Sequence, residues 1–256
     1  MDRVSRRSFI LSVGALALAP QERIEPELIL YNGNIWTVSD RIPRAQAVAI
    51  SGGRFLAVGS SEEVLAMSTS RSRKIDLSKQ TVLPGFIDAH SHPAAAGRSH
   101  LRQVDCDLRS IAEIQAALRE RARQTPAGQW VLGFKYDDTK TSRSFLDAGI
   151  RPTQASDYPP GPFEPMMALQ SEVTRTDLKG NLWGAQQRIK VEEAIRVGTI
   201  NGAYASFEER FKGSIEPGKL ADLVVLGRDP LREDPSSLIT IPVERTMVGG
   251  RWVYES

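Results

Sequence analysis

Apolar residues recur along this chain with two different spacings. Near the start the pattern is that of strands: ELILYNGNIWTV (27–38) is rich in branched and aromatic residues, and AVAISGGRFLAVG (47–59) divides at Gly52-Gly53 into two short strands of a hairpin. SSEEVLAM (60–67) predicts a short helix, and RKIDLSKQTVLPGFIDAH (73–90) a strand, a turn and a second strand. The strand pattern returns in ADLVVLGRDP (221–230) and ERTMVGGRWVYE (244–255), the latter with Gly249-Gly250 as its turn. Between these ends a helical period enters. SIAEIQAALRERARQ (110–124) sets Ile111, Ile114, Leu118 and Ala122 on one face, with Ser110 and Glu113 spaced as a capping box. QWVLGFKYD (129–137) reads as a strand. SFLDAGIRPTQASDYPPGP (144–162) reads as a short helix, an extended segment ending at Asp157 and a proline-rich loop. KVEEAIRVGTINGAYASF (190–207) predicts one helix packed through Val191, Ala194, Ile195 and Val197.

Strand-rich segments at both ends with mixed sequence between them predict an α/β chain. Residues 21–82 and 213–256 form one composite β-sandwich in this reading, because neither group alone has enough strands to bury an apolar face. Residues 83–212 then form a separate unit. No internal repeat or low-complexity tract is evident.

Composition narrows the function classes. Hydrophobic content of 41% and charged content of 25% are those of an ordinary globular chain. A net charge of +2, without long basic blocks, points to neither nucleic acid nor a membrane surface as partner. The single cysteine, Cys106, has no partner for an internal disulfide and reads as a small, partly buried side chain. The first twenty residues carry a different message. Ser5-Arg6-Arg7, followed by Phe9 and an apolar run to Ala19, has the form of a twin-arginine leader. The run is shorter than the ~20 residues that span a bilayer. Residues 1–20 are therefore expected to be a signal peptide directing a folded protein to the periplasm, with no membrane contact once it is removed. Ala17-Leu18-Ala19 fits a cleavage site, but Pro20 follows it, which leaves the cut earlier or later.

The chain has three histidines, His90, His92 and His100. On a strand, residues i and i+2 share a face, so His90 and His92 can reach one ion from the end of the strand that begins at Val82. His-x-His alone is a weak signal. Its setting strengthens it, because (β/α) barrels place their chemistry where an apolar strand ends in polar groups. Asp157, before a Pro-Pro-Gly turn, reads from composition as a turn-initiating aspartate and secondarily as a third ligand.

Two longer stretches, TVLPGFIDAHSHP and KGSIEPGKLADLVVLGRDP, resemble the two signatures of the amidohydrolase superfamily. LILYNGNIWTV, AVAISGGRFLAVGS, WVLGFKYDDTKT, VEEAIRVGTINGAYASFEE and TMVGGRWVYE fit, in order, the metal-dependent hydrolases of amidohydrolase family 3. The resemblance implies a β-sandwich made from both termini and a (β/α)₈ TIM barrel. It places metal ligands at His90 and His92 from the first barrel strand and at Asp157 from the eighth. It implies a divalent metal, zinc first, and a metal-activated water that attacks the carbon of a C–N bond in a small amide-type substrate. Asp157 then also moves the proton to the leaving nitrogen.

The chain departs from the family in its middle. The family's carboxylated lysine or glutamate and its two further histidines have no match. WVLGFKYDDTKT and SRSFLDAGI, far apart in the family, abut near Thr141–Arg143. Residues 83–212 number about 130, against the ~250 of a closed barrel. At most two or three barrel strands are expected, with open edges. The expected function is C–N hydrolysis, and its alternative is an internally deleted, inactive remnant. His100, Asp105, Cys106 and Glu164 are the substitutes to consider for the missing ligands, though each reads first as a solvated surface group.

Overall fold

A computed structural model describes residues 24–92, 103–105, 111–126, 129, 131, 133–134, 143–147, 149, 151–158, 162–177 and 179–256. The leader, His100, Cys106 and the cap at Ser110 lie outside the described residues. The chain is a mixed α/β structure with two mixed sheets and, among the described residues, no closed barrel.

The first sheet comes from the N-terminal strands β1 (Leu28–Tyr31), β4 (Ala47–Ser51), β5 (Arg54–Gly59) and β6 (Arg73–Asp76), in the order β5-β4-β1-β6. The second joins both ends of the chain. Its strands are β2 (Asn34–Trp36), β3 (Arg44–Ala45), β7 (Thr81–Pro84), β10 (Leu223–Leu226), β11 (Val243–Val248) and β12 (Arg251–Glu255), ordered β12-β11-β10-β7-β2-β3. In each sheet one pair is parallel, β1 with β6 and β2 with β7, and the others are antiparallel. A parallel pair, β8 (Val104–Asp105) with β9 (Gly133–Phe134), stands apart.

The alternation of side chains builds three layers. Leu28, Leu30, Val48, Ile50 and Phe55 of the first sheet meet Ile35, Val82, Leu223, Val225 and Met247 of the second in one core. The intervening residues point the other way. Ile29, Ala47 and Ala49 cover Val64 of helix α1 (Ser61–Leu65), which starts at a capping box between Ser60 and Glu63. Leu83, Val224 and Leu226 pack beneath the helices that follow. β10 is thus buried on both faces, which accounts for its unbroken apolar run LVVL. Fully burying each large side chain here stabilises by roughly 1.5–3 kcal/mol.

The two predicted glycine turns also meet. Gly52, Gly53, Gly249 and Gly250 all have positive φ, as two-residue hairpin loops require. The turns pack so closely that a Cβ on Gly53 would lie 2.8 Å from the Gly249 carbonyl oxygen.

Helices α2 (Ile111–Gln124) and α3 (Arg143–Asp147) lie near their predicted positions. Two features differ from expectation. Pro165–Thr174 forms a helix, α4, that the proline-rich sequence hides; Pro165 opens it at a position where a missing N–H costs nothing. The single helix expected over 190–207 is two, α5 (Val191–Val197) and α6 (Ile200–Ala205). Thr199 breaks them, with φ −129° and ψ −90°. The break turns the Val197 and Gly198 carbonyls outward, where they accept the Gln154 and Ile87 amides at 3.3 and 2.9 Å. Gly198 is required there, since a Cβ would meet the Gln154 side-chain oxygen at 2.7 Å and the Phe86 ring at 3.0 Å.

Arg143 ties α3 to α5. Its guanidinium donates to both Glu193 carboxylate oxygens, at 3.0 and 2.9 Å, and to Asp147 at 2.6 Å. Burial works against the charged form of Glu193, but the Lys190 amide and Arg143 together hold its carboxyl below the ordinary value.

Candidate metal centre

The strand expected to run to His90 is shorter: β7 ends at Pro84, and residues 85–92 follow without strand structure, with a bend at Ala89 and His90. The segment is held at intervals: Gly85 N–H donates to Asp222 O at 3.0 Å, Ile87 N–H to Gly198 O at 2.9 Å, and Ala89 N–H to Gln154 O at 3.1 Å. Residues 151–158 run beside it in the same direction. Asp157 N–H donates to His90 O at 2.9 Å, and His92 N–H to Tyr158 O at 2.7 Å. The approach of the two segments is therefore parallel, as expected for neighbouring strands, but irregular.

The irregularity sits at Asp157. The sequence reads it as the end of an extended segment; its φ is instead +49°. Aspartate tolerates this left-handed conformation better than most residues. The turn breaks the ladder, and Ser156 N–H donates to the Asp88 carboxylate at 3.0 Å in place of a backbone oxygen.

This kink carries the Asp157 side chain to the two histidines. Its Oδ1 lies 3.2 Å from His90 Nε2 and 3.3 Å from His92 Nε2. The imidazole rings stand nearly perpendicular, at 89°, with centroids 4.8 Å apart. One donor atom from each of the three residues lies within 4.8 Å of the others, and among the described residues no further histidine, cysteine or carboxylate joins them. All three side chains are exposed, from 51% to 62%.

The donor types and the two histidine–aspartate separations suit a divalent ion. Ligand atoms about 2.0–2.1 Å from a tetrahedral zinc lie roughly 3.3 Å from one another, which is the separation that Asp157 Oδ1 keeps from both nitrogens. An ion held by these three residues would keep a coordination position for water, as catalytic rather than structural zinc does.

Of the suggested substitutes, only Glu164 has a described side chain, and it does not join the set. Glu164 is exposed at the N-terminal boundary of α4 and makes no cap hydrogen bond. Asp105 is on β8, with its side chain outside the described residues, as are His100 and Cys106. Two further residues gain importance: Asp88, whose place just before the histidine pair strengthens the His-x-His signal in the sequence, and Ser156, to which the sequence reading gave no role. A signal was present for Asp88, which precedes His90 and His92 in the same alternate-residue series.

A model of the amidohydrolase family matches residues 73–144 and 140–254, two pieces that meet where the sequence brings distant family segments together. An N-substituted formamide deformylase of Arthrobacter pascens is 38% identical over 113 residues, 43% of this chain and 21% of that protein. The Bacillus subtilis protein YtcJ, named as an amidohydrolase, is 31% identical over 199 residues, 70% of this chain and 36% of its own length. The chain thus spans well under half the length of these relatives. Among solved structures, an adenosine deaminase from Xanthomonas campestris with bound zinc superposes with a TM-score of 0.58 at 13% identity, over 91% of this chain and 94% of that one. An amidohydrolase from Thermotoga maritima gives 0.57 at 12% identity, over 90% and 100%. At such identities the likeness is one of fold. With the family match extending from β6 to the C-terminal strand, the chain belongs to amidohydrolase family 3 of the amidohydrolase superfamily.

Proposed function

We propose that this protein is a metal-dependent hydrolase of C–N bonds in small amide-type molecules, its ion held by His90, His92 and Asp157. The observation that carries the reading is the placement of one Asp157 oxygen at 3.2 and 3.3 Å from two imidazole nitrogens. The ion, zinc first, would supply a water of lowered pKa and polarise the substrate carbonyl. His90 and His92 would hold imidazole nitrogens toward it. Asp157, half exposed, takes the proton of the attacking water and delivers it to the leaving nitrogen. The finer architecture belongs to the same reading: a composite β-sandwich from 21–82 and 213–256, and a (β/α) barrel remnant in 83–212. So does export of the folded protein through the twin-arginine pathway.

The deformylase relative makes an N-alkyl formamide the first substrate to try. Zinc-loaded protein should release formate from it, and protein stripped by a chelator should not. Equal release from both preparations would refute the reading.

A second reading, an inactive remnant, is favoured by the exposure of all three ligands. A water-excluded site strengthens every charge interaction at the reacting centre, and an exposed one forgoes that gain. Stoichiometric zinc binding without turnover would select this reading.

A further inference from the structure

We propose that Asp88 is the positioning residue of this centre, a carboxylate clamp that fixes the two ligand-bearing segments against each other; this rests on the metal-site reading above. Only three backbone hydrogen bonds among the described residues join 89–92 to 154–158. The Ser156 amide, next to the left-handed Asp157, makes none of these backbone bonds and is a donor to be satisfied where the spacing of the ligands is decided. Asp88 accepts it. Its Oδ1 receives Ser156 N–H at 3.0 Å and His90 N–H at 3.2 Å, so one oxygen grips the backbone beside Asp157 and the backbone of a histidine. Its Oδ2 receives the Ser156 hydroxyl at 2.5 Å. That hydroxyl oxygen in turn accepts Tyr158 N–H at 3.0 Å. The residues on both sides of Asp157 are therefore bound into one network ending on a single carboxylate.

Asp88 is not a fourth ligand, since the three-donor group does not include it and both its oxygens are engaged. Its acceptor bonds are charge-assisted and stronger than neutral ones. A metal centre tolerates ligand displacements of only about 0.5 Å, and three irregular backbone bonds on an exposed surface are weak support for that tolerance.

The test has two readouts. In metal-free protein, amide exchange is followed by NMR at His92 and Asp157, with Leu223–Leu226 of β10 as internal reference. Asp88→Ala should speed exchange at His92 and Asp157 at least tenfold and leave β10 unchanged. Asp88→Asn, which keeps an oxygen for the two amides, should restore most of the protection. Cobalt(II) titration, read by its visible absorption, should show at least tenfold weaker binding in Asp88→Ala. Exchange within twofold of the parent at both amides, or equal acceleration in β10, would overturn the clamp. So would cobalt affinity unchanged in a variant whose amides have loosened. A parent protein that binds no cobalt would instead overturn the proposed function, and the metal role of the clamp with it.

Discussion

The two-sheet core and the candidate metal centre are held by different means. In the core, Leu30, Ile35, Val48, Val82, Leu223 and Val225 have no exposure at all, and regular ladders from both ends of the chain meet at β7 and β10. At the centre, two segments without regular secondary structure are joined by three backbone bonds and one carboxylate, and the functional side chains face solvent. Burial secures the first and polar geometry the second. Stability and chemistry can thus be altered separately, and substitutions in each region should leave different signatures.

The largest effect is expected in the core. Phe55 is 1% exposed between the sheets, and Phe55→Ala should cost about 3–5 kcal/mol in urea unfolding. A cost below about 1 kcal/mol would show that the two sheets do not share a tight core. Metal comes next. Zinc at a hundred times its dissociation constant should stabilise the parent by about 2.7 kcal/mol. Removing both exposed rings, in His90→Ala with His92→Ala, should abolish that gain while leaving metal-free stability within about 0.5 kcal/mol. A thermal scan with and without zinc measures both, and retained zinc stabilisation in the double variant would dismiss the ligand assignment.

Gly198→Ala probes the border between the regions. The added Cβ meets Gln154 and Phe86 at 3.0 Å or less, and overpacking of this kind costs about 1–3 kcal/mol. Zinc affinity should fall with it, because both ligand segments rest on this turn. Stability lost with affinity intact would show the centre to be independent of α5. The smallest effect lies away from both regions. Asp177 is held at a pKa of about 2, first by the Asn181 side chain, then by Trp183 Nε1–H and the Asn181 and Lys179 amides. A depressed carboxylate pKa contributes stability above the ordinary value near 4, and that contribution fades as pH falls toward 2. Trp183 fluorescence should therefore change over that interval in the parent and stay flat in Asp177→Asn. Identical profiles would discard the assignment.

The strands were readable in the sequence because their cause is local. Alternation and unbroken apolar runs report burial on one face or two, and paired glycines report hairpin turns. His90 and His92 were readable by their spacing, although the structure sets them beyond the last regular strand residue. Asp157 stood out through family resemblance; by composition it was a turn residue, and it proves to be both a turn and a neighbour of the histidines. What escaped depends on distant contacts. Helix α4 is secured by Met166, Leu169 and Val173 under β10, which no local signal announces. The division of α5 from α6 answers to Ile87 and Gln154, more than forty residues upstream.

That division has a mechanical consequence. The two strips of chain that carry the histidines and the aspartate hang from adjacent carbonyls, those of Gly198 and Val197. A displacement of α5 moves both strips together. Such common-mode motion carries the centre through space but leaves its internal distances alone. Only a differential motion, one strip sliding on the other, can spoil the ligand spacing. A tether at one end and a cross-tie near the other hold geometry in the same way.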